Sequence, residues 1–221
     1  MIIENELQTR PDWEIKVGPD IAGEPNPALP TDYGIDQSFP PIMRLYTAGP
    51  ARSDGKSADW MAALHGPILP NTGNLTLRFD MMVDNNAGAV QAREFDTRVS
   101  IAGDNYNFST QINEAAGGKL QISDAKGNWQ DTGDVIPPFI PGVWNEFEFA
   151  YQFNPVFKTY STADVTVNGT RYMIPPALWA IPVTRPTPLW ADSCSIQLQL
   201  DLSPKGGKFA QQFNHVQLEW S

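Results

Sequence analysis

Cysteine is almost absent. Cys194 is the single one in 221 residues, so no disulfide can close within the chain. It opens a run of alternating apolar residues, the setting of a buried, inert thiol. Histidine is nearly as scarce. His65 and His215 stand far apart, and with one cysteine they make no zinc spacing. Cations are outnumbered, 15 Lys and Arg against 25 Asp and Glu, for a formal net charge of −10. That balance argues against nucleic acid and anionic membrane surfaces as partners, since both need clustered cations. No run is long and apolar enough to span a bilayer. A phosphate-cradling glycine loop, a Gly-x-Ser-x-Gly elbow and a nucleophile triad are also missing. The opening Met1-Ile2-Ile3-Glu4-Asn5-Glu6 does not read as a secretory leader. The expected location is extracellular or cell-surface if a leader has been removed, and cytoplasmic otherwise.

What is present is period-two alternation, together with 20 prolines and 17 glycines spread through the chain as turn formers. In Asn74–Asp84 the apolar set is Leu75, Leu77, Phe79, Met81 and Val83, with Thr76, Arg78 and Asp80 opposite. Arg93–Ile101 sets Phe95, Val99 and Ile101 against Glu94, Asp96 and Arg98. Asn105–Asn113 sets Tyr106, Phe108 and Ile112 against Asn107, Ser109, Gln111 and Asn113. Trp144–Phe153 buries Phe147, Phe149, Tyr151 and Phe153 and exposes Glu146, Glu148 and Gln152. Ser193–Leu202 buries Cys194, Ile196, Leu198 and Leu200, while Ser195, Gln197, Gln199 and Asp201 face away. The last strand, Gln212–Trp220, buries Val216, Leu218 and Trp220.

Two hairpins follow from turn chemistry, one over Ala125-Lys126-Gly127 and one over Asn168-Gly169. Earlier, Asp12–Val17, Met43–Ala48 and Asp59–His65 read as strands between proline-rich connections. Pro175–Pro188 reads as a long loop rather than a linker, because strands continue on both sides. The prediction is one all-β domain over residues 1–221, a two-sheet antiparallel sandwich, since so many half-apolar strands must close on one another.

The stretches Gly127-Asn128-Trp129, Pro141-Gly142-Val143-Trp144-Asn145-Glu146-Phe147, Val165-Thr166-Val167-Asn168-Gly169-Thr170-Arg171-Tyr172 and Phe213-Asn214-His215-Val216-Gln217-Leu218 give the order of elements from about Asn74 to Trp220. That order resembles the concanavalin A-like lectin/glucanase superfamily of jelly-roll sandwiches. The resemblance implies carbohydrate as the ligand class, bound on a concave sheet or its bordering loops. It leaves open a lectin-like binding module, a glycoside hydrolase or a polysaccharide lyase. A structural or assembly role without a sugar ligand also stays open.

Glu94, Asp96 and Arg98 alternate on one strand face, about 7 Å apart. They resemble the laminarinase-type run of three carboxylates at i, i+2 and i+4, in which the first is the nucleophile and the last the acid/base. Here the last position holds Arg98, so the acid/base of a retaining hydrolase is missing. Gln111-Ile112-Asn113 resembles the Gln-x-His strand of alginate-lyase-like jelly rolls, with Asn113 where the proton-abstracting histidine stands. A neutral amide is no general base. Glu146 and Glu148 share one strand face and are a candidate carboxylate pair, with Glu146 an alternative acid. Trp129, beside a turn, is the best candidate for stacking on a sugar ring, ahead of Trp179, Trp190 and Tyr46. Trp144 and Trp220 are assigned to packing.

The expected ligand-binding set is therefore Glu94, Asp96, Arg98, Gln111, Asn113, Glu148 and Trp129, of which Glu94, Asp96, Arg98, Gln111 and Asn113 are expected to share one face with Gln197 and Gln199. No cofactor is expected. Asp20 with Glu24, or Asp84 with Asn85 and Asn86, are candidates for a structural calcium ion.

Overall fold

A computed structural model describes residues 2–17, 31–51, 58–65, 73–84, 90–101, 104–124, 128–154, 159–179 and 194–221. In chain order the strands are β1 (Ile2–Glu4), β2 (Glu14–Val17), β3 (Asp32–Asp36), β4 (Met43–Gly49), β5 (Ala58–His65), β6 (Gly73–Val83), β7 (Val90–Ile101), β8 (Asp104–Asn113), β9 (Lys119–Ser123), β10 (Trp129–Val135), β11 (Trp144–Asn154), β12 (Thr159–Val167), β13 (Thr170–Met173), β14 (Cys194–Leu202) and β15 (Gly207–Trp220). They form two antiparallel sheets. The front sheet runs β10-β9-β8-β7-β14-β5-β2. The back sheet runs β13-β12-β11-β6-β15-β4-β3, with β1 also paired to β15. Every strand pairing among the described residues is antiparallel, and neighbours such as β14 and β5 are far apart in sequence. Such long-range closure is the mark of a jelly roll.

The alternation in the sequence sorts each strand between a shared core and an outer face. Leu75, Leu77, Phe79, Met81 and Val83 of β6 are buried against Phe95 of β7 and Ile196, Leu198 and Leu200 of β14. Phe79 is at the centre. Its ring lies 5.1 Å from Phe95 and from Phe147, 5.8 Å from Phe149, and 5.4 Å edge-on from Phe213. Polar contacts cross the same interior: the Thr97 hydroxyl donates to the Tyr151 hydroxyl at 2.8 Å. At one end the fully buried Arg93 reaches from the front sheet to Gln211 of the back sheet at 2.7 Å.

Both hairpins form. β9 and β10 pair across the first turn, whose tip lies outside the described residues. Asn168 and Gly169 both hold positive φ, 49° and 75°, as a two-residue turn between twisted strands requires. The expected loop Pro175–Pro188 instead opens with one helical turn, Pro176–Trp179, and its remainder lies outside the described residues. The short strands β1 and β3 carry too little alternation to stand out in the sequence. They exist because β15 and β4 offer them unpaired edges.

β15 bends at a bulge between Asn214 and Gln217, where His215 takes a φ of 50°. The fully buried Gln8 fills this break. Its amide oxygen accepts from the Val216 N–H at 2.8 Å, and its amide nitrogen donates to Glu6 at 2.6 Å. The N-terminal 3-10 turn Leu7–Thr9 thus satisfies a backbone donor that the bulge takes out of the ladder.

Candidate functional site

Register assembles the site across the front sheet. Glu94 of β7 stands opposite Gln111 of β8 and Gln199 of β14, and Asp96 stands opposite Ser109 and Gln197. Gln111 in turn faces Gln121 of β9, and Trp129 of β10 faces Ser123. Partners in register share a face, so all of these project from the outer side of the front sheet. The sequence placed Glu94, Asp96, Gln111, Gln197 and Gln199 on one face, and the structure brings them together, with Trp129 three strands away from Glu94 on the same side. β2 joins this sheet at its edge, beside β5, rather than crossing the polar face.

The surprise is burial. An outer strand face should be wet, yet none of Glu94, Asp96, Gln111, Gln197, Gln199 and Asp201 is more than 8% exposed. Several of the groups bond to one another. Gln197 donates to Asp96 at 3.0 Å and to Gln199 at 3.2 Å, and Gln199 donates to Asp201 at 2.9 Å. Gln111 donates to Gln121 at 2.6 Å. The result is a sheltered polar floor of carboxylates and amides, with Trp129 half-buried at its edge strand.

Other expected members fare differently. Asn113 stands at the end of this floor, but its side chain has structural work. It accepts from the Ala116 N–H at 3.0 Å, capping the 3-10 turn Glu114–Ala116, and donates to Gln121 at 3.2 Å. Arg98 lies in register with Ser195 and Asn107, and its side chain is outside the described residues. So are the side chain of Trp179, all of Trp190, and the calcium candidates Asp20, Glu24, Asn85 and Asn86. The remaining one, Asp84, is engaged by Arg44 at 3.2 Å. Among the described residues no three His, Cys, Asp or Glu side chains converge as metal ligands.

Glu148 requires a correction. It cannot join Glu94 and Asp96, because β11 belongs to the back sheet and Glu148 projects from that sheet's outer side. There Glu146 and Glu148 line a pocket of about 340 Å³ with Arg78, Asp80, His215 and Gln217. They do not form a bare carboxylate pair. Arg78 donates to Glu148 and to Glu219, each at 2.7 Å. His215 Nδ1 sits 2.7 Å from Asp80, a contact that sequence distance conceals and the bulge creates.

That hydrogen bond raises the His215 imidazole above its ordinary value of 6.5 against desolvation, and the Asp80 charge adds to the rise. The pair therefore adds stability that is complete below pH 6.5 and fades as pH rises through the higher folded value. His215 is well exposed, so the contribution is small. Asp80→Asn is expected to bring the His215 midpoint back towards 6.5 in a proton NMR titration, and an unmoved midpoint would refute the pairing.

Trp144 was also misplaced by sequence. It is 38% exposed on the outer face of the back sheet, whereas Trp220 is buried as expected. Strand parity explains it: Trp144 shares a face with Glu146 and Glu148, not with Phe147.

No family model matches the chain, and no curated protein does. Solved structures do match its fold. An alginate lyase, vAL-1 from Chlorella virus, aligns with a TM-score of 0.51 at 12% identity, over 95% of this chain and 93% of that one. The CBM2 module of the evolved Dit protein of Lactobacillus casei BL23 phage J-1 aligns at 0.53 and 11% identity, over 99% and 94%. Winged bean acidic lectin, solved with methyl-α-D-galactose, aligns at 0.50 and 8% identity, over 100% and 98%. At such identities the likeness speaks for architecture alone. Two antiparallel sheets in this order make the chain a two-sheet jelly-roll β-sandwich, the architecture of these lyase, binding-module and lectin structures.

Proposed function

We propose that the chain binds an oligo- or polysaccharide on the sheltered polar face of the front sheet, without cleaving it. One observation carries this reading: the cluster of buried carboxylates and amides on the outer side of that sheet. Each buried polar group costs about 1–3 kcal/mol unless it is hydrogen-bonded, and apolar residues would stabilise a mere covering layer better. A floor of acceptors and two-way amides is matched to hydroxyl-rich ligands, which donate and accept at many points. Trp129 supplies an apolar ring against which the C–H face of a sugar can lie. The lectin, carbohydrate-binding-module and lyase neighbours support the same ligand class by analogy.

Catalysis has weaker support. The retaining-hydrolase position at i+4 is Arg98, and the amide at the lyase histidine position, Asn113, is committed to a cap. The test is a polysaccharide array with Glu94→Gln, Asp96→Asn and Trp129→Ala beside the parent protein, with and without chelator. Affinity for the bound glycan is expected to drop about tenfold per substitution, equivalent to ~1.4 kcal/mol. Binding that ignores all three substitutions would refute the site. Reducing ends or an ultraviolet-absorbing unsaturated product released from that glycan would refute the non-catalytic assignment. Loss with chelator would add a metal to the account.

A further inference from the structure

The outer face of the back sheet carries a second arrangement, built from other residues. Register lays Asp36, Arg44, Gln212, Met82 and Trp144 in one row across β3, β4, β15, β6 and β11. Four inter-strand steps make the row roughly 19 Å long. Aromatic rings mark it. Trp144 is 38% exposed at one end and Phe39 is 77% exposed at the other. Phe39 belongs to a tight turn: the Asp36 carboxylate accepts from the Ser38 N–H and hydroxyl at 2.9 and 2.6 Å, and the Ile42 N–H donates to the Phe39 carbonyl at 3.0 Å. The ring is thus presented by a braced segment. A groove of about 460 Å³ lies beneath it, lined by Asp36, Phe39, Ile42, Arg44 and Gln212.

Tyr46 adds a third ring. It reaches sideways over Gly34, where a Cβ would stand 2.5 Å from the tyrosine oxygen and 2.7 Å from the ring carbon bearing it. Only glycine leaves room for a ring lying down on the sheet there. The Arg44 guanidinium sits 5.7 Å from the centroid of that ring. Rings laid against or raised over a strand face, with amide, guanidinium and carboxylate groups between them, suit an extended chain with apolar C–H faces and hydroxyl edges. The charge is already balanced, since Arg44 pairs with Asp84 and faces Asp36 in register. A polyuronate would meet no free cation in this row.

We propose that this row is a second saccharide-binding strip, for an uncharged polysaccharide chain running across the strands from Trp144 to Phe39. It stands on its own residues and does not depend on the front-sheet reading. With one site on each outer face, a single domain would join two glycan chains.

The experiment is native affinity electrophoresis of the whole chain in gels carrying hydroxyethylcellulose, laminarin, xylan or galactomannan, with alginate as the charged control. The variants are Trp144→Ala, Phe39→Ala and, for the other face, Glu94→Gln. Both aromatic substitutions remove exposed side chains, and circular dichroism confirms that each variant is folded. At least one neutral polysaccharide is expected to retard the parent protein. Each aromatic substitution should weaken that retardation at least fivefold, and Glu94→Gln should leave this component in place. Mobility of both aromatic variants equal to the parent's in every retarding gel overturns the strip; the front-sheet site then stands if Glu94→Gln abolishes retardation. Retardation by alginate alone, or by none of the polymers, overturns it as well.

Discussion

Glu114→Ala is expected to lower the unfolding free energy by about 3–5 kcal/mol, the usual penalty for leaving a buried charge without its partner. Arg93 is wholly buried. Its guanidinium lies 4.6 Å from the Phe209 ring centroid and 5.5 Å from that of Phe139, so its surroundings are apolar. Burial pulls its pKa down from the ordinary arginine value, and the charge and hydrogen bond of Glu114 oppose that fall. The ion pair, 2.5 Å from Arg93 Nε, supplies the negative charge that holds the cation in the interior. Arginine stays protonated at any ordinary pH, so it cannot escape by titrating.

The comparison with Arg93→Met is the decisive part of this test. Methionine fills much of the same volume and takes the charge away with the side chain, although Gln211 loses the donor to its oxygen. Breaking a buried pair on one side costs more than removing its charge altogether. Glu114→Ala should therefore be less stable than Arg93→Met, read as denaturant midpoints at unchanged m-value. The reverse order would show that Arg93 acts mainly as packing between the two phenylalanines.

Phe79→Ala should cost a further, independent ~3–5 kcal/mol, the range for deleting a buried aromatic ring. Four rings surround Phe79 within 5.8 Å, from β7 in the front sheet and from β11 and β15 in the back sheet. Strands on either side hold those rings in place, so they cannot collapse fully into the space left. Phe79→Leu should cost visibly less, because a smaller void remains. Equal losses for alanine and leucine would mean that ring stacking, not volume, dominates at this position.

The two predictions concern residues of very different legibility. Phe79 sits in Leu75, Leu77, Phe79, Met81 and Val83, a run whose parity marks it as core before any fold is known. Arg93 obeys the same parity, falling on the side of Phe95, but a charged residue on an apolar face draws no attention in a sequence. Its partners Glu114, Phe139 and the β15 pair Phe209 and Gln211 come from three other places in the chain. Only their convergence makes the interior tolerable for a cation. Trp144 failed in the opposite sense. Its residue type points to packing, whereas its parity with Glu146 and Glu148 points to the outer face, where it lies.

The sequence by itself determined most of the strands, both hairpins, the apolar face of each long strand and hence the sandwich class. Those features rest on local physics, namely a side-chain period of two and the turn chemistry of glycine and asparagine. It also grouped Glu94 with Asp96, and Gln197 with Gln199, because each pair shares one strand. Tertiary structure alone decided which strands became neighbours. That pairing brought β7, β8 and β14 together into one sheltered polar floor, sent Glu148 to the opposite sheet, and set His215 beside Asp80. Strand order is settled by the joint burial of all apolar faces at once, a sum over contacts distant in sequence, and no single segment carries it.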